Sequence, residues 1–343
     1  MKIVVLAGGT STERDVSLVT GREVYKALKE NGHKAVLLDA YLGCDMGADE
    51  IFDADIDWAL QVAPISETAP DIEEVRSIRG KDNKEFFGPN VIKICQAADI
   101  VFMALHGDCG ENGKVQAAFD LMGIRYTGTD SFSSALAMDK AISKQLFRIY
   151  GVPTPDSYKL RSVDDDYSPQ FPCVVKVCNG GSSVGVYIAD NYEEYQSAVK
   201  DAFRYDSRVM VEEYIKGREF TCCVIEGRAL PIVEIEPKSG FYDYKNKYQA
   251  GSTVETCPAD IDAATTARIQ AEAVKAYNAL GIKTYARMDF LMNDRNEVFC
   301  LEANTLPGMT PTSLIPQEAA AAGEDGRVMT ERLQIRFFGF PAV

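Results

Sequence analysis

The chain has 343 residues, enough for two or three domains that each bury a core. A formal charge of −15 argues against a nucleic-acid-binding surface, although an acidic protein can still bind an anion where its lysines converge. No apolar run approaches the roughly 20 residues needed to span a bilayer, and the N-terminus runs directly into a strand pattern, so neither a membrane segment nor a signal peptide is expected. The nine cysteines are odd in number, lack C-x-x-C spacing and sit mostly in apolar runs. They fit buried thiols in a reducing compartment better than a disulfide framework or a zinc site, and a cytoplasmic location is expected.

Residues 3–6 read as a strand, Gly8-Gly9 as a turn, and the stripe Val16, Val19, Tyr25, Leu28 as a helix ending at Asn31-Gly32. Residues 35–39 form a second strand. The acidic, aperiodic stretch 43–90 fits a variable insert or weak hairpins. A buried strand over 99–105 ends at His106, and a helix over 114–122 follows; this alternation predicts a doubly wound parallel sheet. Residues 131–150 read as one helix carrying Lys140, after which Val152-Pro153-Thr154-Pro155 is the expected linker.

Beyond it, strands over 173–177 and 184–189 flank a Gly-Gly-Ser-Ser loop. A helix is expected over 192–203, a strand over 209–215, and a hairpin turning at Glu226-Gly227. Residues 238–258 are a long loop rich in Tyr, Gly and Lys, a length that in compact domains is often functional. An amphipathic helix over 263–280 leads to two strand-like runs, 285–291 and 298–301, joined by the turn residues Asn293-Asp294-Arg295-Asn296. Residues i and i+2 share a strand face, so Glu302 and Asn304 project together, and a hairpin brings Asp289 to them. Three hard oxygen ligands suit Mg²⁺ held partly by nucleotide phosphates. Lys176 stands inside the apolar strand Val174-Val175-Lys176-Val177, where a charge needs a partner. Neither a Walker A loop nor a dinucleotide fingerprint is present.

Glu302-Ala303-Asn304-Thr305-Leu306-Pro307-Gly308-Met309-Thr310, preceded by Arg287-Met288-Asp289, resembles the C-terminal signature of the D-alanine–D-alanine ligases of the ATP-grasp superfamily. Gly8-Gly9-Thr10-Ser11-Thr12-Glu13-Arg14-Asp15-Val16-Ser17-Leu18 resembles the N-terminal motif of that family. Leu105-His106-Gly107, Gly110-Glu111-Asn112-Gly113, Met138-Asp139-Lys140, Gly181-Ser182-Ser183-Val184-Gly185 and Phe241-Tyr242-Asp243-Tyr244 with Lys247-Tyr248 follow in family order. The resemblance runs from Lys2 to about Gly323. It implies an N-terminal doubly wound α/β domain over 1–130, then a two-lobed α+β ATP-grasp fold with a central lobe over 131–215 and a C-terminal lobe over 216–343.

The implied reaction is ATP-dependent joining of two D-alanines through a D-alanyl phosphate, for peptidoglycan and hence cell-wall and cell-shape maintenance. ATP is the co-substrate, two Mg²⁺ ions are implied with Mn²⁺ able to substitute, and a homodimer is expected. The resemblance assigns Lys140 and Lys176 to nucleotide phosphates, Lys247 to the γ-phosphate, Glu212 and the backbone near Ile215 to adenine, and Glu219 to the ribose hydroxyls. Metal falls to Asp289, Glu302 and Asn304. Arg287 and the Gly308 N–H form the oxyanion hole, the alternative being a purely structural Arg287–Asp289 pair. Glu13 holds the first ammonium, with Ser182 and Tyr248 linked to it to close the long loop. His106 contacts the first substrate, and Ser313 and Leu314 receive the carboxylate of the second.

Family members that make D-alanyl-D-lactate typically have histidine at the position of Tyr248, so tyrosine favours the dipeptide. The rival readings are an ATP-grasp ligase for another small amino or hydroxy acid, a nucleotide-binding regulator without catalysis, and a Rossmann dehydrogenase. Two departures stand out: 43–90 carries no family motif, and 326–343 lacks the apolar helix with which family members usually end.

Overall fold

The computed structural model describes residues 1–66, 70–80, 83–181, 183–238, 251–310 and 313–323. The chain divides into two compact units: Met1–Ser134 with Lys283–Tyr285 and the stretch from Thr305, and Ala135–Ile282 with Ala286–Asn304.

The first unit is built on a parallel sheet in which β1 (Lys2–Ala7) lies between β2 (Lys34–Asp39) and β3 (Ile100–Met103). A central strand covered on both faces has no polar side, and Ile3, Val4, Val5, Leu6 and Ala7 are accordingly all buried. The crossover helix α1 (Arg14–Glu30) packs on β1 and β2. Its buried stripe of Val16, Val19, Val24, Tyr25 and Leu28 contains the four positions expected from the sequence. The stretch 43–90 contains no strand among its described residues, so the hairpin alternative is corrected. It holds single helical turns at Ile51–Asp53 and Trp58–Gln61, then α2 (Ile72–Ser77). Those turns pack against β2 and α1 through the buried Ile51, Phe52 and Trp58. Helix α3 (Val91–Ala97) precedes β3, and α4 (Lys114–Met122) follows it.

The single helix expected over 131–150 is two, α5 (Ser131–Met138) and α6 (Lys140–Ile149). Asp139 between them leaves the helical region (φ −83°, ψ 97°), and its carboxylate accepts from the Ala141 and Ile142 amides. A short acidic side chain competes with the helical ladder in this way, and the break fixes Lys140 at the first position of α6.

In the second unit, β4 (Ser157–Lys159), β5 (Cys173–Val177), β6 (Val186–Ala189) and β7 (Val209–Glu213) form an antiparallel sheet of order β4-β7-β5-β6. One face packs on α7 (Tyr192–Ala202) through Val175, Val177, Val209 and Val211. The second sheet comprises β8 (Gly217–Ile225), β9 (Arg228–Ala229), β10 (Val233–Pro237), β11 (Thr253–Thr256), β12 (Tyr285–Asn293) and β13 (Val298–Asn304). Its order is β11-β10-β8-β12-β13, with β9 paired to β8. Phe220, Cys222, Val224, Met288 and Phe290 pack on α8 (Ala263–Ala279) and on Phe147 of α6.

The Glu226-Gly227 hairpin turn forms as expected, both residues having positive φ as a type I′ turn requires. The long loop over 238–258 is shortened by β11, which pairs with β10; residues 239–250 lie outside the described residues. The expected linker is pinned to β13: the Cys300 amide donates to the Pro153 carbonyl, and the Thr154 hydroxyl to the Cys300 carbonyl at 2.8 Å. Helix α9 (Leu314–Ala321) closes the described part of the first unit.

Candidate functional site

A cleft of about 500 Å³ opens in the second unit, lined by both of its sheets. On β5, Val175 faces α7, so strand alternation turns Val174 and Lys176 to the cleft, which Val177 at the strand end also touches. On β7 the same alternation turns Glu212 to it, directly opposite Val174. Val186, Ile188, Ile215, Leu291 and Leu301 give the cleft an apolar slot, while Lys140, Lys176, Glu212, Glu219, Asp289 and Glu302 are among its charged residues, with Lys216 and Arg218 also on its wall. Ile188 is 39% exposed, an apolar surface left open where the cleft meets solvent.

The basic residues do not stand alone. Lys140 donates to the Gly180 carbonyl at 2.8 Å and lies 3.0 Å from Glu302 Oε2. Burial pushes its ammonium down, but Glu302 and then Glu212 outweigh that and leave its pKa above the ordinary lysine value. Glu212, with a side chain 2% exposed, meets two ammonium groups: Lys176 at 2.5 Å on Oε2 and Lys144 at 2.8 Å on Oε1. Burial raises the Glu212 carboxyl, yet Lys144 and Lys176 together hold it below its usual range. Lys144 is fully buried, and that burial lowers its pKa despite Glu212. The glycine-rich loop runs between β5 and β6 with Gly180 and Gly185 at positive φ. A Cβ at Gly185 would lie 2.8 Å from Val177, so the close approach excludes a side chain there.

The β12–β13 hairpin brings its polar residues to one face as the sequence predicts. Asp289 is opposite Glu302, and Arg287 is opposite Asn304. The register then slips at Phe290, which pairs with Cys300, a bulge that no residue pattern announced. Arg287 grips Asp289 with two bonds, Nε to Oδ1 at 2.9 Å and Nη2 to Oδ2 at 2.8 Å. Thr221 donates to Oδ1 at 2.7 Å and Asn304 Nδ2 to Oδ2 at 3.0 Å. Among the described residues no three His, Cys, Asp or Glu side chains converge on a metal-sized space. The expected set of two carboxylates and one carboxamide nevertheless shares a strand face and offers hard oxygens, a chemistry that fits Mg²⁺ completed by phosphate and water.

Glu13, His106, Gly308, Ser313 and Leu314 belong to the first unit. Glu13 stands at the residue before α1 and is buried. Gly107 has φ +70°, and a Cβ there would stand 2.8 Å from the Glu13 carboxylate. The His106 carbonyl accepts from Ser11, and its Nε2 lies 3.0 Å from the Thr20 hydroxyl. Ser313 caps the loop before α9, with the Thr310 amide donating to its hydroxyl at 2.9 Å, and a Cβ at Gly308 would lie 2.7 Å from that hydroxyl. Leu314 begins α9 and is buried. Ser182, Lys247 and Tyr248 lie outside the described residues.

Two family models cover the chain, one for the D-Ala–D-Ala ligase N-terminus over residues 2–129 and one for its C-terminus over residues 156–333. The D-alanine–D-alanine ligase of Lacticaseibacillus casei is 43% identical over 95% of this chain and 92% of its own length. The chain belongs to the D-alanine–D-alanine ligase family. Among solved structures of the family, the Bacillus anthracis D-alanine–D-alanine ligase complexed with ATP is 32% identical with a TM-score of 0.71, covering 97% of this chain and 95% of that one. The VanG D-Ala:D-Ser ligase of Enterococcus faecalis is 29% identical with a TM-score of 0.74, covering 97% and 98%. The fold is accordingly that of the ATP-grasp ligases, a parallel α/β sheet followed by two antiparallel sheets.

Three residues of this family member are given no role by the sequence. Lys144 is four positions after Lys140 and three before the buried Phe147, so helical spacing places it on the inward face of α6. A lysine at a core position is the signal that could have found it. Glu111 accepts from the Gly107 amide at 2.8 Å and from the Leu306 amide at 3.3 Å, and Thr20 accepts from the Met309 amide at 3.4 Å. Both tie the His106 loop or α1 to the turn carrying Gly308, contacts across nearly 200 residues or more that no local pattern could announce.

Proposed function

We propose that this chain joins two D-alanines into D-alanyl-D-alanine with conversion of ATP to ADP, supplying peptidoglycan precursor synthesis. The observation that carries the proposal is the cleft lined together by Lys140, Lys176, Glu212, Asp289 and Glu302 beside an apolar slot, in a chain matched by the family over both halves. A carboxylate is a poor acyl donor because its leaving group is oxide. Transfer of the γ-phosphoryl group makes it an acyl phosphate; the second amine then attacks the carbonyl carbon, phosphate leaves, and the amide forms. Catalysis of the first step is mostly positioning and charge stabilisation.

Lys140 and Lys176, with Lys247, are assigned to the phosphates, supported by the convergence of the first two on the cleft. The apolar slot near Ile215 takes the purine, Glu212 faces it, and Glu219 takes the ribose hydroxyls. Asp289, Glu302 and Asn304 would hold Mg²⁺, two ions with Mn²⁺ as a substitute, and the metal would neutralise charge on the transferring phosphoryl group. Arg287 is assigned to the negative charge that develops on the carbonyl oxygen, and the Gly308 N–H is kept as a donor to that charge. Glu13 and His106 take the first D-alanine, Ser313 and Leu314 the carboxylate of the second. Ser182 and Tyr248 are kept as links that close the long loop and exclude water.

The functional division into 1–130, 131–215 and 216–343, the homodimer and the cytoplasmic location are parts of the same proposal. No helix among the described residues is long and apolar enough to cross a membrane. The test is ADP release and product analysis across D-alanine, L-alanine, D-serine and D-lactate. D-Alanine should be used in both positions, giving D-alanyl-D-alanine. The likeness to a D-Ala:D-Ser ligase gives the second reading, and preferential formation of D-alanyl-D-serine would establish it instead.

A further inference from the structure

We propose that Lys144 is a positioning residue for the phosphate site: its buried ammonium neutralises Glu212 and so leaves the charge of Lys176 available to the nucleotide. The inference rests on the assignment of Lys176 to phosphate made above.

Lys144 does not line the cleft and its side chain is fully buried, so it acts through a neighbour. Its Nζ donates to the Thr154 hydroxyl at 2.7 Å, and that hydroxyl donates to the Cys300 carbonyl of β13. The ammonium is thereby anchored on backbone of the neighbouring strand, independently of any ligand. Its other contact is Glu212 Oε1 at 2.8 Å. No group among the described residues donates a well-directed hydrogen bond to that oxygen, so the contact with Lys144 is mainly one of charge.

Burying an ammonium is costly, and a methionine or leucine would fill the same space without that cost. What the charge supplies is visible in the local balance. Glu212 carries one negative charge and Lys176 one positive charge, 2.5 Å apart. Alone they would form a closed ion pair facing the phosphates with no net charge. With Lys144 on the other oxygen, the trio carries one net positive charge, and Lys176 is its cationic member on the cleft wall, beside Glu212. Lys140 is offset by Glu302, whereas Lys144 leaves the Lys176–Glu212 pair with a net positive charge on its part of the wall.

The experiment titrates the full chain calorimetrically with ADP and with adenosine at fixed Mg²⁺. Adenosine presents the base and sugar, ADP adds phosphates, and the ratio of their affinities reports the phosphate site alone. Lys144→Met should weaken ADP binding about tenfold or more while changing adenosine binding less than about twofold, as expected for an unscreened charge close to the site. Adding Glu212→Gln to it removes the competing carboxylate and should return the ratio to that of the unaltered protein. Equal losses for both ligands, or an unchanged ratio, would make Lys144 a structural strut and overturn the inference.

Lys176→Met separates this failure from failure of the underlying assignment. If the ratio is unchanged there, Lys176 does not hold phosphate and both readings fall. If it drops there and not in Lys144→Met, only the inference falls. Should Lys144→Met not fold, the Lys144→Met/Glu212→Gln variant, which buries no unpaired carboxylate, is read directly. A ratio at or above that of the unaltered protein is expected, and a tenfold drop overturns the proposal.

Discussion

Replacing Arg287 by alanine separates a charge that acts on the reaction from one that only holds Asp289. In the folded protein the guanidinium makes two bonds to Asp289 at 2.8 and 2.9 Å, with side chains 15% and 10% exposed. Breaking a buried ion pair by removing one partner typically costs about 3–5 kcal/mol, because a charge is left uncompensated. Here Asp289 keeps Thr221 at 2.7 Å and Asn304 at 3.0 Å, so its oxygens are not orphaned. The loss should therefore fall below that range, at about 2 kcal/mol, or a drop of ~3 °C in melting temperature for a protein of 343 residues. Arg287 does not line the cleft, so ATP affinity should change little. Turnover should behave differently, because removing one donor to a developing oxyanion typically costs about 100- to 1,000-fold. The assay is dipeptide formation at saturating substrates, normalised to folded protein, beside calorimetric melting and ATP binding. Turnover per folded molecule within about threefold of the unaltered enzyme, alongside the stability loss, would refute the oxyanion role and leave Arg287 a structural partner of Asp289.

Glu302→Gln removes a proposed metal ligand and the partner of Lys140 at 3.0 Å; turnover should be abolished with the fold intact by circular dichroism, and full activity at ordinary Mg²⁺ would contradict the ligand set. Gly107→Ala places a Cβ against Glu13 at a backbone φ of +70°. It should cost about 1–2 kcal/mol and raise the KM for D-alanine while leaving ATP affinity alone; an unchanged KM would count against Glu13 as a substrate contact. The Glu212 carboxyl is held below the ordinary glutamate value of 4.5. Its contribution is complete above that value and is lost as pH falls through the lower folded-state value. Urea midpoints of Glu212→Gln should therefore decline less steeply than those of the unaltered protein below about pH 4.5, and parallel curves would argue against the buried pairing.

Much of the fold was legible because its signals are local. The unbroken apolar run of β1, the stripe of α1, the positive-φ turn at Glu226-Gly227 and the face shared by Glu302 and Asn304 each follow from period and turn chemistry within a few residues. The ordered motifs carried the family, since chemistry at fixed spacing needs no three-dimensional information to be recognised. Where tertiary structure decided, the deciding contacts were distant or subtle. Asp139 broke a helix that apolar periodicity ran through, because one side-chain cap outweighs the pattern around it. The prolines at 153 and 155 read as a linker, yet β13 supplied backbone partners from 146 residues away. The sequence by itself determined which residue types reach the cleft, because alternation and motif order are properties of the chain. Only the folded structure decided how their charges are shared. Lys144, Lys176 and Glu212 come from three separate elements, and their balance depends on distances of 2.5 to 2.8 Å that no one-dimensional spacing encodes.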